Sequence, residues 1–382
     1  MRTSFSPYHH LYIDCGAIIH NFNYLRGLMP KGSHCAVVIK ADAYGHGALH
    51  LAPLLKAAGA GALAVTRVSE ALNLRDVGIE GPLWLLMGAH VDEADQVAAY
   101  NLWPITDSPE LLEALDTAAR KHNRPVNCLI KMDTGMNRLG LAPEDIAPFL
   151  ERAAQLPGLK IAGLVSHLAF GGVAPACQPQ VEIYNQALLS ARAMGLALED
   201  SSLLNSGGVM APPAHAYAQA QWTRLGIALY GGLPDPGLVA MSRLKPTMGL
   251  SSQVLAVHGA KAGSRVSYGG TWYVERDTTL AVVPIGYAEG YPRSLSNQGH
   301  MLINGQKAPI RGRVCMNMTM VEVSHIKPLP RPGDEVVLLG RQGDEEISVD
   351  ELAALAGTIS YEIMCGLGAC LPHNYLPYDP EY

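Results

Sequence analysis

Eight short apolar runs, most of them separated by room for a helix, limit this chain more than any other feature of its sequence. They are CAVVIK (35–40), GALAVT (61–66), PLWLLMG (82–88), WPIT (103–106), VNCLIKMD (126–133), IAGLVSH (161–167), SSLLNSG (201–207) and IALYG (227–231). Between most of them lie Ala/Leu-rich stretches of helical period, such as SPELLEALDTAARKH and PEDIAPFLERAAQL. SPEL and APED carry the marks of helix starts, with proline early and acids in the first turn. Strands that alternate with helices pair in parallel, and eight of them close a (β/α)₈ TIM barrel. An α/β fold of that kind is expected over residues 1–235, although a doubly wound open sheet also satisfies the pattern.

The texture changes after about residue 235. TLAVVPIGYA, HMLINGQKAPI, GRVCMNMTMVEV and GDEVVLLG are strand-like runs with turn residues between them, and SVDELAALAG (348–357) is the one clear helix. A second, mostly β domain is therefore expected over 236–382, with LPDPG (233–237) as the joint. The first ten or so residues could pair with either domain. A length of 382 residues suits two cores.

Composition narrows the function. A net charge of −6 without any Lys/Arg run argues against nucleic acid as a partner. The seven cysteines show no CxxC and no Cys/His ligand spacing, so no metal is expected and the thiols suit a reducing compartment. The N-terminal stretch has no apolar core of a secretory signal, and no long uncharged apolar stretch suggests a membrane span. A cytoplasmic enzyme is the expectation.

The unusual polar residues gather at one end of the barrel. Lys40 and Tyr44 follow the first run, Lys131 lies in the fifth with Arg138 after it, and His167 ends the sixth. Asn205, Ser206 and two glycines end the seventh, and Arg224 precedes the eighth. All are read as lying at or near C-terminal strand ends, where barrel active sites form. NSGG and GIALYGG offer small residues and free backbone N–H groups suited to a phosphate. A lysine beside such a cup suggests pyridoxal 5'-phosphate (PLP) held as a Schiff base, with neighbouring cations keeping the amine partly neutral.

AVVIKADAYGHGA (36–48) resembles the cofactor-lysine motif of the alanine racemase family. IKMDTGMNRLG, VSHLA, LNSGG, RLGIALYG, SYGGTW, IGYAEGYPR, GRVCMNM and TISYEIMCGL resemble further segments of that family, in order, from residue 36 to about 367. The resemblance implies an N-terminal (β/α)₈ barrel, a β-rich C-terminal domain, and racemisation of L- and D-alanine for cell-wall peptidoglycan precursors. It implies that Lys40 binds PLP and acts as one catalytic base, with Tyr268 as the other on the opposite face. Tyr268 would come from a second subunit, in a head-to-tail homodimer with shared sites. Arg224 would face the pyridine nitrogen, and His167 would lie beside it. Arg138 would serve the cofactor and the substrate carboxylate, steadied by Lys131, a residue often carbamylated in the family. Tyr44, Asn205, Ser206, Gly226, Ile227 and Tyr361 correspond to the cofactor cradle. Met316 and Asn317 correspond to substrate contacts, and Tyr287, Arg293 and Arg313 to the access corridor.

Four positions depart from the family pattern. Asn317 replaces an aspartate, and an amide there could accommodate a hydroxyl, which makes serine a second candidate substrate. Gly172 stands where an acid is usual, Ser202 where many members have a histidine, and Leu225 where a proline follows the arginine. Two other readings remain. One is a PLP carrier without turnover; the other is a decarboxylase of the same fold, which would want a carboxylate in place of Arg224.

Overall fold

The computed structural model describes residues 8–211, 218–241 and 243–378. Its first sheet is parallel, in the order β7-β6-β5-β4-β3-β2-β8. These strands are β2 (His34–Val38), β3 (Ala62–Val65), β4 (Leu83–Leu85), β5 (Leu102–Thr106), β6 (Val126–Lys131), β7 (Leu159–Val165) and β8 (Trp222–Leu225). The sheet curls, and the segment around Ser202 bridges its two ends, pairing in parallel with Val165 of β7 and Trp222 of β8. Its backbone is bonded on both sides: Ser202 N donates to Leu164 O, Ser166 N to Ser202 O, Trp222 N to Ser201 O and Arg224 N to Leu204 O. The barrel is thus seven strands plus a short eighth connection.

Six of the eight apolar runs form strands β2 to β7, and SSLLNSG contributes only the bridge at Ser202 ahead of a short helix, Ser206–Met210. The eighth run, IALYG, forms no strand. Ile227–Tyr230 is a 3₁₀ turn, and the strand is the preceding Trp222–Leu225. Both segments are wholly buried, and a four-residue apolar run carries no period that separates strand from helix. Arg224 therefore lies within a strand and not before one.

The outer helices follow their sequence signals. In Pro109–Lys121, Ser108 Oγ accepts from Leu111 N at 3.1 Å, proline opens the helix, and Leu111, Leu112, Leu115, Ala118 and Ala119 are buried. Ser348 caps Val349–Ala356 in the same way. A second helix, Ser360–Cys370, was not anticipated. Among the described residues no single helix is long and apolar enough to cross a membrane.

The C-terminal part is mostly β. Its main sheet joins β9 (Met248–Gln253), β14 (His300–Ile303), β15 (Gln306–Pro309), β17 (Glu335–Gln342), β18 (Glu345–Ile347) and β19 (His373–Leu376). The N-terminal strand β1 (His10–Asp14) sits between β9 and β19, antiparallel to the first and parallel to the second. Smaller sheets comprise β10 (Ala256–Ala260), β13 (Thr278–Val283) and β16 (Thr319–Glu322), and a hairpin of β11 (Arg265–Val266) and β12 (Trp272–Tyr273).

The helix Ser360–Cys370 lies against the turn that follows Lys40. A Cβ added at Gly368 would lie 2.0 Å from Gly45 O, and one at Gly45 would lie 2.3 Å from Met364 O. Only glycine allows this backbone approach. Gly368→Ala should therefore destabilise the protein by about 3 kcal/mol, as overpacked backbone contacts do; a lowered urea midpoint is the expected measurement.

Candidate active site

Ala41, Asp42, Ala43 and Tyr44, directly after Lys40, have φ of 51°, 52°, 55° and 55° with ψ of 52°, 49°, 49° and 38°. This is a full turn of left-handed helix built without glycine, a conformation that costs about 1–2 kcal/mol per residue. Specific bonds hold it. Glu70 Oε1 accepts from Ala41 N at 2.7 Å, while Oε2 accepts from Thr66 N and Arg67 N at 2.8 and 2.9 Å. Asp42 Oδ1 accepts from Ala48 N at 2.6 Å. Fully buried His46 places Nδ1 3.1 Å from both Ala43 O and Tyr44 O, and Nε2 2.9 Å from Thr247 Oγ1. Burial drives its pKa down to about 4, so the ring is neutral and donates from Nδ1 to those carbonyls.

The turn fixes Lys40 at the barrel mouth. Its ammonium makes no hydrogen bond or ion pair with any described residue and lies 5.8 Å from the centre of the Tyr44 ring. Burial, and then the Arg138 cation, hold its pKa below the usual lysine value. Tyr44 is buried against Tyr230 and Tyr361, with ring centres 4.8 and 5.8 Å away. A Cβ on Gly226 would lie 2.8 Å from the Tyr44 hydroxyl, so the glycine leaves a cradle a side chain would fill. Gly226 N donates to Ser206 Oγ at 2.9 Å, and Asn205 Oδ1 accepts from Gly208 N at 3.0 Å. Ile227 opens the next 3₁₀ turn, whose first N–H groups have no acceptor inside it.

Arg224 is buried deeper. Nη1 donates to Ser202 Oγ at 2.5 Å, and Nη2 meets Ser166 O, Leu203 O at 3.3 Å and His167 Nδ1 at 3.2 Å. Among the described residues no carboxylate pairs with it, and burial lowers its pKa to about 10. His167 faces N–H donors on both sides, because Asn205 Nδ2 lies 3.3 Å from Nε2 and is itself oriented by Leu168 O at 3.1 Å. Burial first, and then Arg224, Lys131, Arg138 and Lys40, push its pKa well below the usual value. The ring is a neutral spacer.

Lys131 ends β6. Burial, reinforced by Arg224 and Arg138, lowers its pKa to about 7. The loop after it folds back onto the strand. Asp133 Oδ1 accepts from Gly135 N and Met136 N at 2.7 and 2.8 Å, and Oδ2 from Arg138 N at 3.3 Å, which sets Arg138 at the exposed rim.

The C-terminal candidates form a separate cluster. Tyr268 is 72% exposed at the tip of the β11–β12 hairpin, and no described barrel residue bonds to it. Ser267, with φ 65°, donates to Arg313 O at 2.6 Å and so ties that tip to the 313–316 loop. Tyr287 N and Ala288 N donate to Cys315 O and Met316 O at 3.2 and 2.9 Å. Asn317 Nδ2 donates to Glu289 Oε1 at 2.7 Å. No hydrogen bond or ion pair between described residues joins Tyr268, Met316 or Asn317 to Lys40, Lys131, Arg138, His167 or Arg224. Sequence reasoning missed Glu70 and His46. Only the Arg67/Glu70 spacing of a helix start could have pointed to Glu70.

Residues 13–234 match the alanine racemase N-terminal domain profile, and residues 247–375 match the C-terminal domain profile. An alanine racemase of Syntrophobacter fumaroxidans is 37% identical over 93% of this chain and 94% of its own. One from Nitratidesulfovibrio vulgaris is 40% identical over 93% and 95%. The alanine racemase structure from Streptomyces lavendulae superposes with a TM-score of 0.90 at 30% identity, covering 99% of each chain. That from Bartonella henselae, solved with covalently bound pyridoxal phosphate, gives 0.87 at 31%, covering 97% of this chain and 100% of its own.

The electrostatics set a pH dependence. Removing the Arg138 cation lets the Lys40 pKa rise toward its ordinary value, so less of the amine is neutral at a given pH. In Arg138→Leu, acylation of Lys40 by an amine-reactive reagent, followed by mass spectrometry, should need a higher pH than in the wild type.

Proposed function

We propose, from the premise that this chain belongs to the alanine racemase family, that it interconverts L- and D-alanine by a two-base mechanism. The family depends on PLP, and the residues at the mouth fit that cofactor. A half-buried amine without a partner, a cradle at Gly226 under the Tyr44 hydroxyl and a buried guanidinium without a carboxylate are what its aldehyde, phosphate and ring nitrogen require. Lys40 would hold the aldehyde carbon. Tyr44, Asn205, Ser206, Gly226, Ile227 and Tyr361 would serve the phosphate end, His167 the ring, and Arg224 the nitrogen. Bound there, the cofactor supplies an electron sink that acidifies the Cα–H of an amino acid.

The chain's own groups then handle the proton. Lys40, with its pKa held down by burial and Arg138, is neutral for a larger fraction of the time than a free lysine, and takes or returns a proton at Cα on one face. Tyr268 does the same on the other face. Its exposure, with no described barrel residue bonded to it, supports delivery by a second copy, each chain lending its 268–317 cluster to the other's barrel mouth. Arg138 binds the substrate carboxylate. Arg224, a cation that donates N–H to the ring nitrogen and is too weak an acid to protonate it, would leave that nitrogen without a proton, which restrains delocalisation into the ring and favours return of the proton to Cα.

Arg224 is the observation that carries this reading against a decarboxylase. The second domain, with Tyr268 on its surface, carries it against a carrier without turnover. Lys131, with a pKa near 7, has a neutral amine available to add carbon dioxide and lose a proton, giving a carbamate anion beside Arg138. Its role would then be to steady that cation. D-alanine for peptidoglycan precursors, made in the cytoplasm, is the proposed purpose, and the domain joint is proposed near residue 235.

Asn317 supports serine as a second substrate. With Nδ2 committed to Glu289, its carbonyl oxygen remains to accept from a substrate hydroxyl. Asn317→Leu, which removes that acceptor, should lower the serine-to-alanine ratio of kcat/KM by roughly tenfold, the value of one lost hydrogen bond; an unchanged ratio overturns the serine reading.

Circular dichroism of L-alanine with the purified holoenzyme tests the main reading. Steady loss of ellipticity is expected, while release of carbon dioxide or no change would overturn it. Lys40→Ala and Tyr268→Phe should each be inactive. Mixing the two should restore about a quarter of wild-type activity, because half of the dimers are then mixed and each keeps one intact site.

A further inference from the structure

We propose that Gln180 is a positioning residue for the substrate: its side-chain amide sets the distance between the loop that carries Arg138 and the segment that begins at His167. This rests on the reading that Arg138 binds the substrate carboxylate. Gln180 lies on the helix Ala174–Ala193 and is 5% exposed. Its Oε1 accepts from Ala169 N at 2.9 Å, and its Nε2 donates to His167 O and to Thr134 Oγ1, each at 3.3 Å. A backbone N–H on one side and a backbone carbonyl on the other allow the amide one orientation, which uses both of its N–H bonds.

The partners follow different strands. Thr134 comes after β6, in the loop that Asp133 shapes by accepting from Gly135 N, Met136 N and Arg138 N. That loop closes on itself, with Asp133 N donating to Leu141 O and Leu141 N to Lys131 O. A hold on Thr134 is therefore a hold on the base of the arm that presents Arg138. His167 and Ala169 come after β7. Thr134 Oγ1 also lies 2.8 Å from Ser166 Oγ, and both hydroxyls are buried. One turn before Gln180 on the same helix, Cys177 Sγ donates to Phe170 O at 2.8 Å. The helix thus grips residues 167–170 at three points, and through Gln180 it reaches the Arg138 loop as well. Filling this space would need no amide: burying one costs free energy unless its bonds are made, and an apolar side chain of similar length would pack as well.

Racemisation of L-alanine by the holoenzyme tests this in two variants. Gln180→Met keeps the length of the side chain and removes all three bonds. It should raise KM about tenfold, the scale of one misplaced hydrogen bond to a charged group. Its kcat should stay within about twofold, because Arg138 would hold the carboxylate before and during the reaction. Gln180→Glu reads the donor directly. The ionised carboxylate has no hydrogen for His167 O, whereas the protonated acid regains one. The kcat/KM of this variant, relative to wild type, should therefore rise as the pH falls, while the same ratio for Gln180→Met stays flat. Should one variant not fold, the other decides. An unchanged KM or a loss carried by kcat in Gln180→Met, or a flat ratio in Gln180→Glu, overturns the proposal. An Arg138→Leu variant with an unchanged KM for L-alanine overturns the underlying reading of Arg138 instead.

Discussion

Everything at the barrel mouth depends on four consecutive residues held in the mirror image of an ordinary helix. Ala41 to Tyr44 would relax by roughly 4–8 kcal/mol in total if nothing opposed them. Glu70 opposes from the neighbouring helix, His46 and Asp42 from the turn itself, and the Gly45–Gly368 contact from the C-terminal helix. The strain has a use. A left-handed turn lifts the chain sharply off β2, so Lys40 projects at the mouth while Tyr44 folds back under Gly226. Thr247 completes the anchoring through His46.

The second organising fact is an excess of cations with few anions to answer them. Lys40, Lys131, Arg138 and Arg224 act on one another and on His167, each lowering a neighbour's affinity for a proton. Asp133 and Asp107, the acids near Lys131, are also engaged by backbone N–H groups of the loop they shape. Such a mouth is poorly satisfied when empty and well satisfied by a ligand with a phosphate and a carboxylate. The same field keeps two lysines nearer neutrality than solvent would.

Much of this was legible in the sequence, for identifiable reasons. Ser108 and Ser348 announced their helices because capping is local, and the strand runs announced the barrel because burial on both faces makes them continuously apolar. IALYG misled because four buried apolar residues suit a strand or a 3₁₀ turn equally. The helix Ser360–Cys370 was hidden by its small residues and glycines. At the site, Lys40, Arg138, His167 and Arg224 stood out as polar groups at strand ends. Glu70 and His46 did not, since their bonds to Ala41 and Thr247 span 29 and 201 residues. The left-handed turn was invisible because nothing in Ala-Asp-Ala-Tyr favours it locally.

The placement of β1 has a consequence for the order of events on the ribosome. This strand precedes the whole barrel in the chain, yet it lies between β9 and β19, which both follow the barrel. The barrel can begin to assemble during synthesis, but β1 must wait, unpaired along both edges, for partners made some 235 and 360 residues later. Gly368 arrives later still, so the lysine turn, already held by Glu70 and Asp42, lacks its brace from the C-terminal helix until residue 368 has been made. A nascent chain halted near residue 235 would carry every cradle residue except Tyr361 and would lack the Gly45–Gly368 contact.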